Sequence, residues 1–256
     1  MRIIAALMLA ASLAVAAPSL AATRVDLELV LAVDVSDSMT SDEQALQRRG
    51  YINALSHADV THAIQSGARG SIALTYVEWA APGRNRVVVP WTLVDGPVSA
   101  AAFARRLEGR PDVRLEGTSI SSALSFSARF FRSNGFLGDR LVIDISGDGP
   151  NNMGLPVAGV RDRIAARGIT INGLPIVLHR SDFRMLNIEA YYRDCVVGGP
   201  GAFVIGVDGA EALEEAIRRK LALEIAGKGL PWSYASTSVL PQGDCLIGER
   251  MGGRAR

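Results

Sequence analysis

Six short apolar stretches alternate with helix-patterned stretches along most of this chain, and that alternation restricts the fold more than any other feature. The strand-like stretches run 25–36, 70–80, 86–94, 140–149, 169–178 and 202–208. Two of them, LELVLAV and LVIDI, are nearly continuous in apolar residues, as strands covered on both faces are. Helical patterns fall between them, at about 40–55, 99–107, 117–133, 157–167, 187–195 and 210–226. Thr40 with Glu43 forms a capping-box start, and Gly168 marks a helix stop. The expected fold is a doubly wound α/β domain, a Rossmann-type three-layer arrangement around a mostly parallel sheet. The APGRN link between the second and third strands is too short for a crossover, so one edge strand is expected to be antiparallel.

The first 21 residues carry a different pattern. Arg2 precedes an apolar run from Ile3 to Ala17, with Ser19 and Ala21 at the −3 and −1 positions of a cut after Ala21. This is the pattern of a secretory signal peptide, and the run is shorter than the roughly 20 residues a membrane span needs. The competing reading is an uncleaved anchor. The expectation is a periplasmic or secreted protein, with no membrane span once the signal is removed. The folded domain is expected over 25–227, followed by a low-order tail over 228–256 that is polar and punctuated by Gly and Pro. Cys195 and Cys245 are a candidate disulfide in an oxidising compartment, with two separate thiols as the alternative. A bridge there would close a loop of about 50 residues, worth about 4 kcal/mol in the chain-entropy model. The formal net charge of +1 leaves no basic face, which argues against nucleic acid as a partner.

In open α/β sheets, ligands sit at the carboxyl ends of the strands, where strand order reverses. Three stretches fall at such ends or beside them: DVSDS (34–38), EGTSIS (116–121) and ISGDGPNN (145–152). Each brings oxygen donors. The three histidines, His57, His62 and His179, form no zinc spacing with the cysteines. Hydroxyls and carboxylates suit a hard cation such as Mg²⁺, Ca²⁺ or Mn²⁺. Asp144 lies inside a buried strand, at even spacing from Ser146 and Asp148, and so on their face. A buried acid needs partners. Asp144 is therefore either a structural hydrogen-bond partner or a support for the metal ligands, and Asn151 and Asn152 are candidates for the rim. The bland alternatives are an Asx-type turn at Asp34–Ser38, a helix N-cap at Thr118 and a plain turn at Asp148. Tyr191, Tyr192, Trp79 and Trp91 are read as packing residues.

Asp34-x-Ser36-x-Ser38, followed by Thr118 at a Gly-Thr helix start and Asp148 in Gly-Asp-Gly, resembles the metal-ion-dependent adhesion site of von Willebrand factor A domains. A closer likeness is to a secreted bacterial family of this fold catalogued as a domain of unknown function. That likeness is carried by LAVDVS, YVEW, GTSIS, VIDISGDGPNN, ITINGLPI, YYRDCVVGGPGAFV and AIRRKL. The resemblance implies that Ser36 and Ser38 give hydroxyl oxygens to a divalent cation, Mg²⁺ first, with Mn²⁺ or Ca²⁺ as alternatives. It implies a third hydroxyl from Thr118, directly or through water. Asp34 and Asp148 would hold metal-bound waters or bind directly, leaving one position for an acidic side chain of a protein partner. Asp37 departs from the pattern, since such sites often carry a small residue there. Its charge either faces solvent, competes with an incoming acid or raises metal affinity. The expected function is a binding module of adhesion type and not an enzyme. The alternatives are a metal-dependent hydrolase or phosphatase and a metal-free scaffold. An aspartyl-phosphate phosphatase would need an acid where Ser36 stands and a core lysine, but Lys220 and Lys228 lie in or after the last helical stretch. No Gly-x-Ser-x-Gly elbow is present.

Overall fold

The computed structural model describes residues 22–111, 113–178, 187–227 and 244–252. The expected signal peptide over 1–21 and most of the expected tail lie outside these residues. The central strand is β1 (Thr23–Asp34), which pairs in parallel with β2 (Ile72–Trp79) and, on its other side, with β4 (Phe136–Gly147). β3 (Asn85–Val94) runs antiparallel to β2 at one edge. β5 (Ile169–Val177) and the two-residue β6 (Val207–Asp208) continue in parallel beyond β4. The order is β3-β2-β1-β4-β5-β6, so the progression reverses between β1 and β4.

Alternation along β1 sorts its side chains into two cores. Leu27, Leu29 and Leu31 pack with residues of α1 (Ser41–Ser56), α2 (Ala58–Gln65), α3 (Pro97–Arg105) and α7 (Ala210–Ala226). Val30 and Ala32 pack on the opposite face with α4 (Ile120–Ser127), α5 (Val157–Ala165) and α6 (Ile188–Tyr191). Helices therefore cover both faces of the sheet, as the unbroken apolar strands require. The Thr40–Glu43 capping box forms as expected and fixes the start of α1, just past the end of β1. Such a cap is worth about 1 kcal/mol. It sets the direction in which the chain leaves the Ser36–Ser38 turn.

Four elements differ from the sequence expectation. α4 stops at Ser127 rather than continuing to 133. The Phe130 carbonyl instead accepts from the Trp91 indole, and Phe126 meets Phe130 edge-on. The 202–208 stretch forms regular ladder only at its end. The Asn172 side chain takes the Phe203 N–H, displacing a ladder bond, while Gly173 still bonds Phe203 and Ile205. The 187–195 helix changes character at Tyr192 and runs to Val196 as a π-helical turn. Within the expected low-order tail, residues 244–252 are ordered and carry α8 (Ile247–Gly252), tied back by a Cys195–Cys245 disulfide.

The apolar face of α7 carries charges into the core. Lys220 is fully buried and pairs with Asp144 of β4 and, at 2.5 Å, with Glu224 one turn further along α7. Glu224 also accepts from Asn172 of β5 at 2.9 Å. Two acids share one base here. Burial, and then the charge of Asp144, push the Glu224 carboxyl up to about 8. The folded state therefore holds a proton that the unfolded chain releases near its ordinary value of 4.5. Stability from this group is greatest below that value and falls as pH rises through about 8. Glu224→Gln mimics the protonated form. Urea melts from pH 5 to 9 should show the variant losing less stability with rising pH than the parent; parallel profiles would contradict this.

Candidate metal centre

The strand reversal sets the site. β1 ends at Asp34 beside β4, whose last residue, Gly147, precedes Asp148. The register pairs Val33 with Ser146, so the two acids leave the sheet side by side. Asp34 is fully buried, and its Oδ1 accepts the Ser36 N–H at 2.7 Å, which turns the chain back across the strand end. The Ser36 and Ser38 hydroxyls lie 2.9 Å apart, and Ser38 Oγ donates to Asp148 Oδ1 at 2.7 Å. The structure thus joins Asp34, Ser36, Ser38 and Asp148 in one continuous polar chain, as a plain Asx turn would not.

Thr118 arrives from a third element. The 115–118 loop lies against the 35–37 turn: Ser36 bridges to Leu115, Asp37 N–H donates to Leu115 O, and Gly117 N–H donates to Asp37 Oδ1 at 3.3 Å. Asn152 Oδ1 accepts the Thr118 N–H, while the N–H groups of Asn152 and Met153 donate to Thr118 O. This knits Thr118 to the loop that bears Asp148. The helix N-cap is Ser119, not Thr118, so the Thr118 hydroxyl is not consumed by capping α4. Asp37 is exposed, and its Oδ1 accepts the Gly117 N–H, while its charge still reaches Asp148.

The second rim residue, Asn151, is completely buried. Its side chain accepts from Ser121 N–H and donates to Leu155 O and to Glu249 of α8, while its N–H donates to the Tyr191 hydroxyl. The disulfide-tied C-terminal segment is thereby part of the scaffold under the Asp148 loop. Glu249 could not be found from sequence, because it lies in a stretch with the composition of a tail. Asp144 does not join the polar chain. It pairs with Lys220 on the α7 side of the sheet, which matches the structural alternative and not the supporting one. Ser146, between Asp144 and Asp148, accepts from Gln47 of α1 at 2.8 Å.

The electrostatics of the two acids are unusual. Among the described residues no basic side chain pairs with Asp34 or Asp148. Burial, and then the charge of Asp148, push the Asp34 carboxyl well above the usual carboxylate range. Asp148 is pushed up to about 6 by burial, against the lowering effect of its Ser38 hydrogen bond. Asp34 Oδ2 is buried without a hydrogen-bond partner. Such an oxygen is costly unless something positive or protic meets it. An all-oxygen donor set of two carboxylates and neutral hydroxyls fits a hard divalent cation. Among the described residues no cluster of three or more His, Cys, Asp or Glu side chains is arranged to hold a metal, so such a site would depend on its hydroxyls. A cavity of about 760 Å³ lies elsewhere, between α2 and α7. Its Arg218 already pairs with Asp59 and Glu215, and its Arg140 donates to the last carbonyls of α7, so it offers little free chemistry.

The family described as Protein of unknown function (DUF1194) matches residues 24–229. No curated protein matches the chain in sequence. Among solved structures the fold is similar to the pilus adhesin SpaC from Lactobacillus rhamnosus GG in its open conformation. The TM-score is 0.57 at 15% identity, over 82% of this chain and 31% of that one. It is similar to proximal thread matrix protein 1 from the mussel byssus, solved with a zinc-occupied MIDAS motif. There the TM-score is 0.56 at 13% identity, over 80% of this chain and 49% of that one. A von Willebrand factor type A protein from Catenulispora acidiphila aligns with a TM-score of 0.52 at 15% identity, over 78% of this chain and 43% of that one. The fold is therefore of von Willebrand factor A type, and the chain covers less than half the length of each of these three structures. No helix among the described residues is long and apolar enough to cross a membrane.

Two acids that repel one another, Asp34 fully buried and Asp148 half-buried, weaken the fold when nothing neutralises them. In a chelating buffer at pH 7, Asp34→Asn should raise stability by about 1 kcal/mol in denaturant melts, since the amide keeps the Ser36 bond and removes one charge. A loss of similar size would show that Asp34 is a structural residue first.

Proposed function

The chain belongs to the DUF1194 family, and from that premise we propose that it is a metal-ion-dependent binding module that recognises a protein partner through a divalent cation, Mg²⁺ before Mn²⁺ or Ca²⁺. The observation that carries the proposal is the hydrogen-bonded line Ser36–Ser38–Asp148 beside a buried Asp34 that has no basic partner. A cation held there would supply a strong, incompletely neutralised positive charge for an incoming carboxylate. Ser36 and Ser38 would hold it through neutral oxygens, with Thr118 as the third hydroxyl, and Asp34 and Asp148 would retain it. The small formal charge of the set leaves attraction to spare for the partner, whereas a cage of carboxylates would consume it. The zinc-occupied site of the mussel protein and the adhesin role of SpaC support a binding reading for this fold.

We further propose that the protein is not an enzyme. Ser36 stands where a phosphatase of the aspartyl type would need its second acid. Lys220 is buried between Asp144 and Glu224, and so does not reach the strand ends. The signal-like first 21 residues and the Cys195–Cys245 disulfide support an exported or periplasmic location.

The test begins with metal alone. Mg²⁺ added to chelator-treated protein should raise its melting temperature, and Asp34→Ala should lose that rise. An equal rise in the variant, or none in the parent, would remove the basis of the proposal. A partner captured from periplasm should then elute with chelator. Turnover of generic phosphate or carboxylate esters at saturating Mg²⁺ should stay at background; activity abolished by Asp34→Asn would instead favour the hydrolase.

A further inference from the structure

Tyr192 lies in the core with Tyr191, and packing accounts for its ring but not for its hydroxyl. It is fully buried, and its hydroxyl has no hydrogen-bond partner. A phenylalanine would fill the same space without stranding an oxygen, so the hydroxyl calls for an explanation. Its neighbour Tyr191 is different: that hydroxyl accepts the Asn151 N–H at 3.1 Å.

The surroundings of Gly147 supply the explanation. A Cβ on Gly147 would lie 2.7 Å from Asp34 Oδ2, 2.8 Å from the Tyr192 hydroxyl and 3.2 Å from Trp79 Cζ2. These three side chains therefore converge on one point at the end of β4, and only a glycine leaves them room. Asp34 Oδ2, the Tyr192 hydroxyl and Trp79 Nε1 are all buried and all without hydrogen-bond partners. One is an acceptor and two are donors. A phenol keeps its proton to about pH 10, so the Tyr192 oxygen has a hydrogen to give. From the other side, Gly173 of β5 leaves space for the ring, since a Cβ there would lie 2.8 Å from Tyr192 Cδ1. The π-helical turn that starts at Tyr192 closes with Val197 N–H donating to Tyr192 O at 2.9 Å, and Cys195 within it anchors the disulfide. π-turns of this kind recur at functional sites, where the extra residue re-aims a side chain.

We propose that Tyr192 is a positioning residue for the cation site: its hydroxyl, which shares the Gly147 corner with the Oδ2 oxygen of Asp34, donates to that oxygen when the site is loaded. Trp79 packs its ring edge, through Cζ2, into the same corner. The proposal rests on the metal-binding reading above and deepens it, because it extends the site to a residue outside the Asp-Ser-Ser-Thr-Asp set. The Ser36 N–H already holds Oδ1, and a turn of the phenol toward the unpartnered Oδ2 as the cation binds would hold the carboxylate on its second side. Losing an outer support of this kind typically weakens metal affinity about tenfold or more.

Tyr192→Phe removes one oxygen and nothing else. Calorimetric titration with Mg²⁺ and with Mn²⁺ should show affinity reduced about tenfold, while the melting temperature in chelator stays equal to the parent's or rises. Tyr76→Phe, which alters a buried phenol on the other face of the sheet, should leave affinity unchanged. An affinity within twofold of the parent's for Tyr192→Phe would overturn the proposal and leave the metal site standing. Failure of the parent itself to bind either ion would overturn both. If the variant does not fold, the unaltered protein still decides. Its tyrosine ultraviolet difference spectrum should change as Mn²⁺ binds and stay flat in Asp34→Ala; a flat parent spectrum at saturation contradicts the role.

Discussion

The parallel pairing of β1 with β4 is the constraint on which everything else depends. It is the place where strand order reverses: the chain leaves β1 for α1 on one face and β4 for α5 on the other, so the two paths part over the carboxyl ends of these strands. The Val33–Ser146 register brings Asp34 and Asp148 out together, and the Ser36 turn folds hydroxyls over the gap between them. A slip of one residue would turn Asp148 and Ser146 to the other face and separate them from Ser38 and Gln47. Gly147 is fixed by the same geometry, because Asp34, Tyr192 and Trp79 occupy the space its side chain would need.

The protein treats its two pairs of acids in opposite ways. On the α7 side, Lys220 answers the charge of Asp144, while Glu224, which holds its proton to about pH 8, shares Lys220 and accepts from Asn172. At the strand ends, Asp34 and Asp148 have hydroxyls and backbone N–H groups but no described basic partner. Burying uncompensated charge is costly, and a chain that neutralises one pair could neutralise the other. The difference between the two pairs is what supports the proposal that the second takes its positive charge from an outside cation. Asp144 lies in β4 and Asp148 just past its end, only four residues on, so their contrast comes from what faces them and not from where they stand in the sequence.

Much of this was legible in the sequence because it rests on local pattern. The apolar runs gave the strands, the short APGRN link gave the antiparallel edge, and Thr40–Glu43 gave the start of α1. The oxygen-rich stretches stood out for the same reason, since acids and hydroxyls at the end of an apolar strand break its pattern. What the sequence hid depends on contacts made at long range. Ser119 and Thr118 are both capping types, and only the fold shows which one caps α4. Asp144 resembled a site residue until Lys220 was seen across from it. Tyr192 resembled a packing aromatic, because nothing local reveals that its hydroxyl lacks a partner. Glu249 lay in a stretch with the composition of a tail, and the disulfide that orders it joins residues 50 apart.

The central claim is that side chains from three separate segments share one cation. Crystals grown with Mn²⁺ and measured near its absorption edge test this most directly. The account predicts a single strong anomalous peak bounded by Ser36, Ser38, Thr118 and Asp148, with Asp34 behind it. A map with no peak there, or with Thr118 turned away from an ion held only by the others, would contradict it.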